Sequence, residues 1–380
     1  MNKYSEIYKN ELINSIIPFW MKHSKDNKHG GFFTCLGRYG EVFDTDKFMW
    51  LQGRQVWTFA TLYNQLDANP EYLAMAQHGA TFMQKYGRDS EGNWYFSLNQ
   101  AGKPLVQPYN IFSDCFATMG FGALFTATGK DEYAEIAKTT FENILKRRDN
   151  TKGKYNKAFP GTRELRNFSL PMILSNLSIE IEHLLDKSLV NKLIEEVIDE
   201  VMNVFYQPEH GIIFENVNKD GSFSDSFEGR LLNPGHTIEA MWFMMDLGVR
   251  LNNTSLINKA IDIALKALEY GWDKKYGGIL YFLDFKGHPT QQLEWDQKLW
   301  WVHVEALVAL AKAYEVKDSN VASSFIGPNW GADITNKALW GLLIFILLAA
   351  ILMALYFRTL KMSAAAMLAL AHDLILTAGL

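Results

Sequence analysis

Apolar residues recur at helical spacing along most of the chain, and short segments rich in glycine and aromatic residues interrupt them at regular intervals. Runs with apolar positions three and four residues apart predict amphipathic helices. Most of the runs fall in neighbouring pairs joined by short connections, which is typical of helical hairpins. The predicted helices cover residues 3–23, 46–66, 70–86, 110–128, 131–147, 165–184, 187–206, 234–251, 254–271 and 295–315.

The glycine-bounded segments between these helices resemble one another. They begin near Gly31, Gly92, Gly211 and Gly278, and a weaker copy begins at Gly153. Each reads as a β-hairpin or long turn. The spacings between the five glycines are 61, 61, 58 and 67 residues, which suits one helical hairpin with its loop. Six helical pairs would close an (α/α)₆ barrel. Because the chain supplies five, we predict an all-α fold, an (α/α)₆ barrel that lacks its last helical pair.

The composition changes where a sixth segment is due, near residue 340. Ala338 to Phe357 are twenty residues without a charge, enough to cross a bilayer as a helix, and Arg358 follows as a positive flank. A second apolar stretch, Met362 to Leu380, contains Asp373. We predict two transmembrane-type helices here, with a buried helix pair of a globular protein as the alternative.

Three parts of the chain are therefore expected. Residues 1–316 form the incomplete α/α barrel, residues 317–337 form a junction, and residues 338–380 form a hydrophobic transmembrane-type hairpin. The repeat and the composition break at the same place.

Charge and composition exclude several functions. The net charge of −5 without a basic stripe excludes nucleic acid as a partner. Cys35 and Cys115 are far apart and fit no metal-ligand spacing, so we predict no metal and a reducing compartment. The amino-terminal residues lack the apolar core of a secretion signal, which indicates a cytoplasmic location for residues 1–316. A content of 14% aromatic residues suits a sugar-binding cleft.

The segment Asn233–Glu239 combines helix-start signals with a titratable pair. Asn233 is typical of an N-cap and Pro234 of the first helical position. His236 then lies in the first turn, where the helix dipole favours a neutral imidazole that can act as a base. Glu239 lies on the same face and could orient the ring or a ligand. A capping Asn and a core His are the structural alternative.

Two further helix faces could bind a sugar. Trp50, Arg54 and Trp57 share one face, on which a guanidinium between indoles would suit a carbonyl or a hydroxyl group. An Arg packed on Trp can equally be structural.

Glu294, Lys298, Trp301 and Glu305 share the second face at +4, +7 and +11, and a salt-bridged helix is the alternative for the first two. His303, beside them, is interpreted as an interior or rim histidine. Asn176 lies in an apolar run, where its amide needs a partner, and a ligand hydroxyl is one option.

Several segments carry a family resemblance: WLQGRQVW at 50–57, NPGHTIEAMWF at 233–243, EWDQKLWWVHVEA at 294–306 and GGFFTCLGRYGEVFDTDKF at 30–48. Over about residues 1–316 the chain resembles the N-acylglucosamine 2-epimerase family, also known as renin-binding proteins. The resemblance implies an (α/α)₆ barrel with the site in its mouth, which interconverts N-acetylglucosamine and N-acetylmannosamine. It also implies ATP as an allosteric activator that is not consumed, and a homodimer.

The resemblance also assigns roles to residues. His236 corresponds to one of two catalytic histidines, and Arg54, Asn176, Glu239 and Trp301 match positions that line the sugar site. We group His236, Glu239 and Arg54 as catalytic residues. The predicted sugar-binding residues are Asn176, Trp301, Trp50 and Lys298.

Inversion at C2 requires removal of a proton from one face and delivery to the other, which two imidazoles can share. In the family the second histidine lies in a Phe-His-Val-Pro-Arg type of segment in the last helical pair. No such segment follows Val316. We therefore expect an epimerase scaffold with little or no activity, with retained epimerisation as the alternative.

The tail resembles a different protein. FIGPNWG at 325–331, the apolar span to Phe357 and LAHDLILTAG at 370–379 are similar to the F subunit of the bacterial Sec protein-export machinery. The resemblance places Asp373 among membrane-embedded charged residues. We interpret the chain as a chimera whose tail partitions into membrane or promotes aggregation. A membrane-tethered or export fragment with a non-catalytic barrel is the alternative.

Overall fold

The computed structural model describes residues 2–157, 159 and 161–316. Most of these residues are helical, and every predicted helical run contains a helix. The helices are α1 Asn2–Glu11, α2 Ile17–His23, α3 Met49–Thr61, α4 Pro70–Tyr86, α5 Phe112–Thr128, α6 Asp131–Lys146, α7 Ser169–Glu180, α8 Lys187–Asp199, α9 Pro234–Arg250, α10 Thr254–Gly271 and α11 Trp300–Val316.

Three helices contain or end in a wider π-helical turn. Leu12–Ile16 joins α1 to α2, Leu62–Leu66 extends α3, and Glu200–Phe205 extends α8. A π-turn inserts an extra residue and rotates the side chains that follow around the helix axis. The predicted helices at 3–23, 46–66 and 187–206 therefore each correspond to one continuous helical segment.

The helices form two layers. α3, α5, α7 and α9 pack against one another in chain order, and α4, α6, α8 and α10 each pack on the helix that precedes them. α8 buries one stripe only, whereas every residue of α5 from Ser113 to Gly122 is buried. A helix that is buried all round belongs to an inner layer. The four predicted helical hairpins are thus confirmed.

Two glycines let the inner helices α3 and α5 touch backbone to backbone. A Cβ on Gly53 would lie 2.7 Å from the Phe116 carbonyl carbon, and a Cβ on Gly120 would lie 2.9 Å from the Gly53 carbonyl oxygen. Because a larger residue at either position would force the helices apart, these glycines set the distance between α3 and α5.

Short antiparallel ribbons connect the helices, so the all-α prediction needs correction in the connections. The strands are β1 Cys35–Leu36, β2 Val42–Asp44, β3 Lys47–Phe48, β4 Ser97–Leu98, β5 Pro104–Val106, β6 Leu165–Asn167, β7 Tyr206–Gln207, β8 Ile212–Ile213, β9 Asn216–Asn218, β10 Leu231–Leu232 and β11 Leu283–Asp284. They pair as β1–β2, β3–β4–β5, β6–β9, β7–β8 and β10–β11. Gly31, Gly92, Gly153, Gly211 and Gly278 all have positive φ, as turns require, and Gly153 also begins a 3₁₀ turn.

Backbone pairing also explains where helix starts were predicted too early. Lys47–Phe48 and Leu165–Asn167 are strands in front of α3 and α7. α11 begins at Trp300, because the carbonyls of Trp295 and Gln297 accept hydrogen bonds from the loop at 281–282. Glu294 and Lys298 therefore lie outside the helix, and the predicted face that joins them to Trp301 is wrong.

A fully buried ion pair fastens the first two loops to each other. Lys47 Nζ donates to Asp26 Oδ2 at 2.8 Å, to the Gly30 carbonyl and to the Gln100 carbonyl at 2.9 Å. Its ammonium also lies 4.4 Å from the centre of the Phe82 ring. Both charged side chains are essentially inaccessible to solvent.

A second buried carboxyl, Asp114, lies in the first turn of α5. Its Oδ1 accepts a hydrogen bond from Arg147 Nη1 at 3.2 Å. Burial raises the pKa of Asp114 to about 7, although Arg147 opposes the shift. Between about pH 4 and pH 7 the folded protein therefore retains a proton that the unfolded chain releases, and stability falls as pH rises.

Replacing Asp114 with asparagine is expected to remove this pH dependence. Between pH 4 and pH 8, the free energy of unfolding of the wild type should fall by up to about 4 kcal/mol relative to that of Asp114→Asn. The reason is that the folded variant retains no proton at this position. Urea denaturation of both proteins across this range measures the difference. Parallel curves would contradict the assignment.

The chain divides into two compact units, residues 1–309 and 310–380. Of the second unit, residues 310–316 are described and form the end of α11. None of the helices described between residues 2 and 316 is long and apolar enough to cross a membrane. The predicted spans at 338–357 and 362–380, and Asp373, lie outside the described residues.

Candidate active site

The first turn of α9 is capped and faces Trp301. Asn233 Oδ1 accepts a hydrogen bond from the His236 backbone N–H at 3.1 Å, and Pro234 occupies the first helical position. A Cβ on Gly235 would lie 2.7 Å from Trp301 Cη2, so glycine permits the indole to approach this turn. The predicted N-cap is confirmed, and the rings of His236 and Trp301 lie with centroids 5.7 Å apart.

His236 pairs with Glu215, which no predicted motif contains. Its Nδ1 lies 3.0 Å from Glu215 Oε1 and 3.1 Å from Oε2. A carboxylate accepts hydrogen bonds, so Nδ1 carries a proton and Nε2 is left to meet a ligand. The Glu215 side chain is 6% exposed and that of His236 is 24% exposed. The imidazole is therefore reachable while its partner is buried.

Backbone pairing between distant segments places Glu215 in this position. It directly precedes β9, which pairs with β6 in front of α7. The Phe168 N–H donates to the Glu215 carbonyl at 2.9 Å, and the Glu215 N–H donates to the Leu231 carbonyl at 3.1 Å, just before α9. Residue 215 is thus fixed between the starts of two inner helices.

The carboxylates around His236 shift its pKa in the direction opposite to the predicted one. Burial acts to lower the pKa of His236, but the charge and hydrogen bond of Glu215 and the charges of Glu239 and Glu305 outweigh it and raise that pKa above its usual value. The helix dipole, which favours the neutral ring, is overcome by these charges. The prediction of a neutral imidazole is therefore wrong in direction.

Arg54 on α3 lies between two aromatic rings. Its Cζ is 4.3 Å from the centre of the Phe116 ring and 5.6 Å from that of Trp50. Trp57, the second predicted indole partner, instead donates its N–H to Glu180 on α7 at 2.9 Å. Within the described part of the chain, the Arg54 guanidinium donates no hydrogen bond. Its fixed fork of donors is thus free to bind a ligand oxygen.

Two carboxyl groups interact electrostatically with Arg54 and His236. Burial, together with the charge of Glu305, raises the pKa of Glu239 to about 7. Burial also raises the pKa of Glu305, although its Oε2 accepts the Trp242 indole N–H at 2.8 Å. A carboxyl group with a pKa near 7 can take up or release a proton at neutral pH.

An aromatic wall flanks His236. The ring of Tyr281 meets that of Trp301 edge to face, with centroids 5.9 Å apart. Such a surface can stack on the C–H face of a sugar.

Asn176, on α7, is half-buried, and its amide makes no hydrogen bond with any residue that the structure describes.

Lys298 is not placed with these residues. Its ammonium pairs with Asp273 at 2.7 Å and lies 5.5 Å from the centre of the Tyr276 ring, which fixes it to a loop. His303 has the structural role of a rim histidine: its Nε2 accepts the Ile279 backbone N–H at 3.0 Å.

The structure thus brings together His236, Glu239, Arg54 and Trp301, with Trp50 against Arg54. Sequence reasoning missed Glu215 and assigned no role to Glu305. A signal for Glu215 exists, an acidic residue directly after the apolar strand of the hairpin before α9. Among residues 2–316, as far as they are described, no cluster of His, Cys, Asp and Glu is arranged to hold a metal ion.

Comparison with known proteins gives a family match over most of the chain. Residues 31–330 match the family model described as N-acylglucosamine 2-epimerase (GlcNAc 2-epimerase). The N-acylglucosamine 2-epimerase of Rattus norvegicus is 36% identical over 80% of this chain and 74% of its own length. Cellobiose 2-epimerase from Dictyoglomus turgidum is 26% identical over 82% of this chain and 81% of its own length.

Solved structures show the same fold. Cellobiose 2-epimerase from Bacillus thermoamylovorans B4167 aligns with a TM-score of 0.73 over 88% of both chains, at 21% identity. Residues 306–380 match a second family model, the carboxy-terminal part of protein export membrane proteins SecD and SecF. With 300 residues matched by the first model and 36% identity to a curated relative, the chain belongs to the N-acylglucosamine 2-epimerase family of sugar 2-epimerases.

Proposed function

We propose that this chain carries the machinery to invert C2 of an N-acyl amino sugar, interconverting N-acetylglucosamine and N-acetylmannosamine. The observation that carries the proposal is the His236–Glu215 pair beside Arg54, Glu239 and Glu305. The relatives named N-acylglucosamine 2-epimerase are 34–36% identical, against 26% for cellobiose 2-epimerases, which favours the N-acyl sugar.

The residues suit the chemistry of this inversion. The proton at C2 becomes acidic when the sugar opens and C1 becomes an aldehyde. Its removal leaves a 2-acylamino enolate with negative charge on O1, which the unbonded donors of Arg54 would stabilise. Trp301 and Tyr281 would hold the sugar against His236.

His236 would act at one face of this enolate. Neighbouring carboxylates raise the pKa of His236, and its protonated imidazole would serve as the proton donor in one direction. By microscopic reversibility its neutral form removes the proton in the other direction.

The opposite face lacks its family partner. The type of segment that carries the second catalytic histidine in the family is absent from this sequence. We propose that the chain is an (α/α)₆ barrel without its last helical pair, fused at about residues 316–322 to an unrelated tail. Proton exchange at the His236 face should then persist better than net epimerisation.

Deuterium exchange separates these two activities. The purified full chain, in detergent because of its apolar tail and with ATP present, is incubated in D₂O with each sugar separately. Proton NMR follows loss of the C2 proton signal and, independently, the appearance of the other epimer. We expect C2 exchange in at least one sugar to be faster than interconversion.

Two results would contradict parts of this proposal. Interconversion as fast as exchange would show that both faces are served, and would overturn the impairment. Absence of C2 exchange in both sugars, with the protein folded, would overturn the assignment of the site.

The family resemblance further leads us to propose ATP as an activator and a homodimeric assembly. A triphosphate needs clustered cations or free backbone N–H groups. The most basic segment, residues 146–166, is partly occupied: Arg148 pairs with Glu196 and Glu200, and Arg166 with Glu200. ATP bound there would compete with these ion pairs, and no step above depends on it.

A second proposal concerns the tail. Because residues 306–380 match an export-protein model, the chain could serve as a membrane-tethered or export fragment in which the barrel is not catalytic. In that case the barrel would show neither exchange nor interconversion.

A further inference from the structure

We infer that Glu215 is a positioning residue for the reaction, which holds the imidazole of His236 with Nδ1–H inward and Nε2 toward the sugar. The catalytic consequence rests on the proposed function. The positioning itself rests on the contact between the two side chains, in which both carboxylate oxygens lie within 3.1 Å of one ring nitrogen.

Two other buried carboxylates, Asp26 and Asp284, differ from Glu215 in their hydrogen bonding, whereas Asp114 likewise contacts one cationic side chain. Asp26 and Asp284, each with a side chain 1% exposed, accept two backbone N–H groups in addition to a cationic side chain. Those contacts serve a turn. Among the described residues, the only hydrogen-bond partner of the Glu215 carboxylate is His236.

This difference argues for a role at the ring. Burying a carboxylate is costly unless it is paired and hydrogen-bonded. Glu215 forms no turn or cap with its carboxylate, so the hydrogen bonding that stabilises it comes from Nδ1–H of His236. The pair is thus built to control one imidazole.

Few groups other than Glu215 influence the charge of His236. Glu239 acts on it from its own helix α9 and Glu305 from α11, while Arg54 on α3 interacts with those two carboxyl groups; Glu215 contributes most to raising the pKa of His236, through both its charge and its hydrogen bond. From α10 and the loop before α11 come the phenols Tyr270 and Tyr281, whose raised pKa values leave them neutral. Removal of Glu215 should therefore change the charge state of His236 more than any other single substitution.

The substitution Glu215→Gln tests this directly. The amide has nearly the shape of the carboxylate but no charge. We expect the pKa of His236 to fall by about 1–3 units, the range for loss of an adjacent opposite charge. Since the amide can donate as well as accept, part of the neutral ring should also shift to the tautomer with Nε2–H.

The measurement is ¹⁵N NMR titration of histidine-labelled full chain, with His236→Gln to assign the signal. Glu228→Gln is the matched control: it removes a carboxylate from the same loop, where Glu228 pairs at 3.6 Å with Arg163 near the surface. Glu215→Asp, which retains the charge, should restore a raised pKa. An unchanged His236 titration in Glu215→Gln, equal to that of Glu228→Gln, would overturn the inference.

A second readout connects the pair to turnover. The midpoint of the limb in which C2 exchange rises with pH should move down in Glu215→Gln by the same interval as the pKa of His236. If the NMR shift occurs in a protein without any exchange, the positioning stands and the proposed function fails. If exchange occurs and its pH limb does not move, the inference fails while the proposed function stands.

Discussion

Replacing His236 with glutamine should reduce C2 deuterium exchange by about 10²–10⁴-fold, the usual contribution of a general acid–base group. The glutamine amide N–H can still donate a hydrogen bond to Glu215, so the first turn of α9 and its Asn233 cap should be kept. What is lost is the proton that Nε2 carries to or from C2. Exchange rates from proton NMR, at saturating sugar, measure the effect.

His288→Gln provides the matched control. His288 is exposed, and its backbone N–H rather than its ring contacts Asp284. Its substitution should leave exchange unchanged. A His236 variant that exchanges at the rate of the His288 variant would show that the first turn of α9 is structural and that the base lies elsewhere.

Replacing Lys47 with methionine should destabilise the fold by about 3–5 kcal/mol, because it leaves the buried Asp26 carboxylate without its counter-charge. Methionine has a similar length and can keep the packing on Phe82, so the loss comes mainly from charge and hydrogen bonds. Urea denaturation followed by tryptophan fluorescence measures the change in the free energy of unfolding.

Two further variants separate the effect of charge on stability from that of packing. Lys47→Met combined with Asp26→Asn should recover part of the loss, since no uncompensated charge remains. Lys192→Met removes the same side chain from an exposed pair with a 3.8 Å separation from Glu196 and should have no measurable effect. Equal destabilisation by both lysine substitutions would contradict the importance of burial.

The helices were predictable because each has its own local signals. The apolar spacing, the Asn233–Pro234 start and the positive-φ glycines all act within a few residues of where they are read. The same locality explains the errors. Lys298 has helical spacing to Trp301, but carbonyls in the segment before it are used by residues 281–282, a partner that spacing does not reveal.

The site was predictable only in part for the same reason. His236 and Glu239 share one helix, and their neighbourhood follows from spacing. Glu215 reaches His236 through the pairing of β6 with β9, strands separated by about fifty residues and two helices. No sequence feature near residue 215 indicates that β6 pairs with β9. The contact between Glu215 and His236 is therefore evident only from the three-dimensional structure.

The contact between Gly53 and Gly120 has a consequence for how such a site can diversify. Arg54 follows Gly53 directly, so the cation is carried by a helix whose distance from α5 is set by main-chain atoms. Side chains facing the ligand can then be exchanged without moving that cation. Gly53 and Gly120 thus keep Arg54 in place, so substitutions of the residues around Arg54 alone can change the sugar specificity.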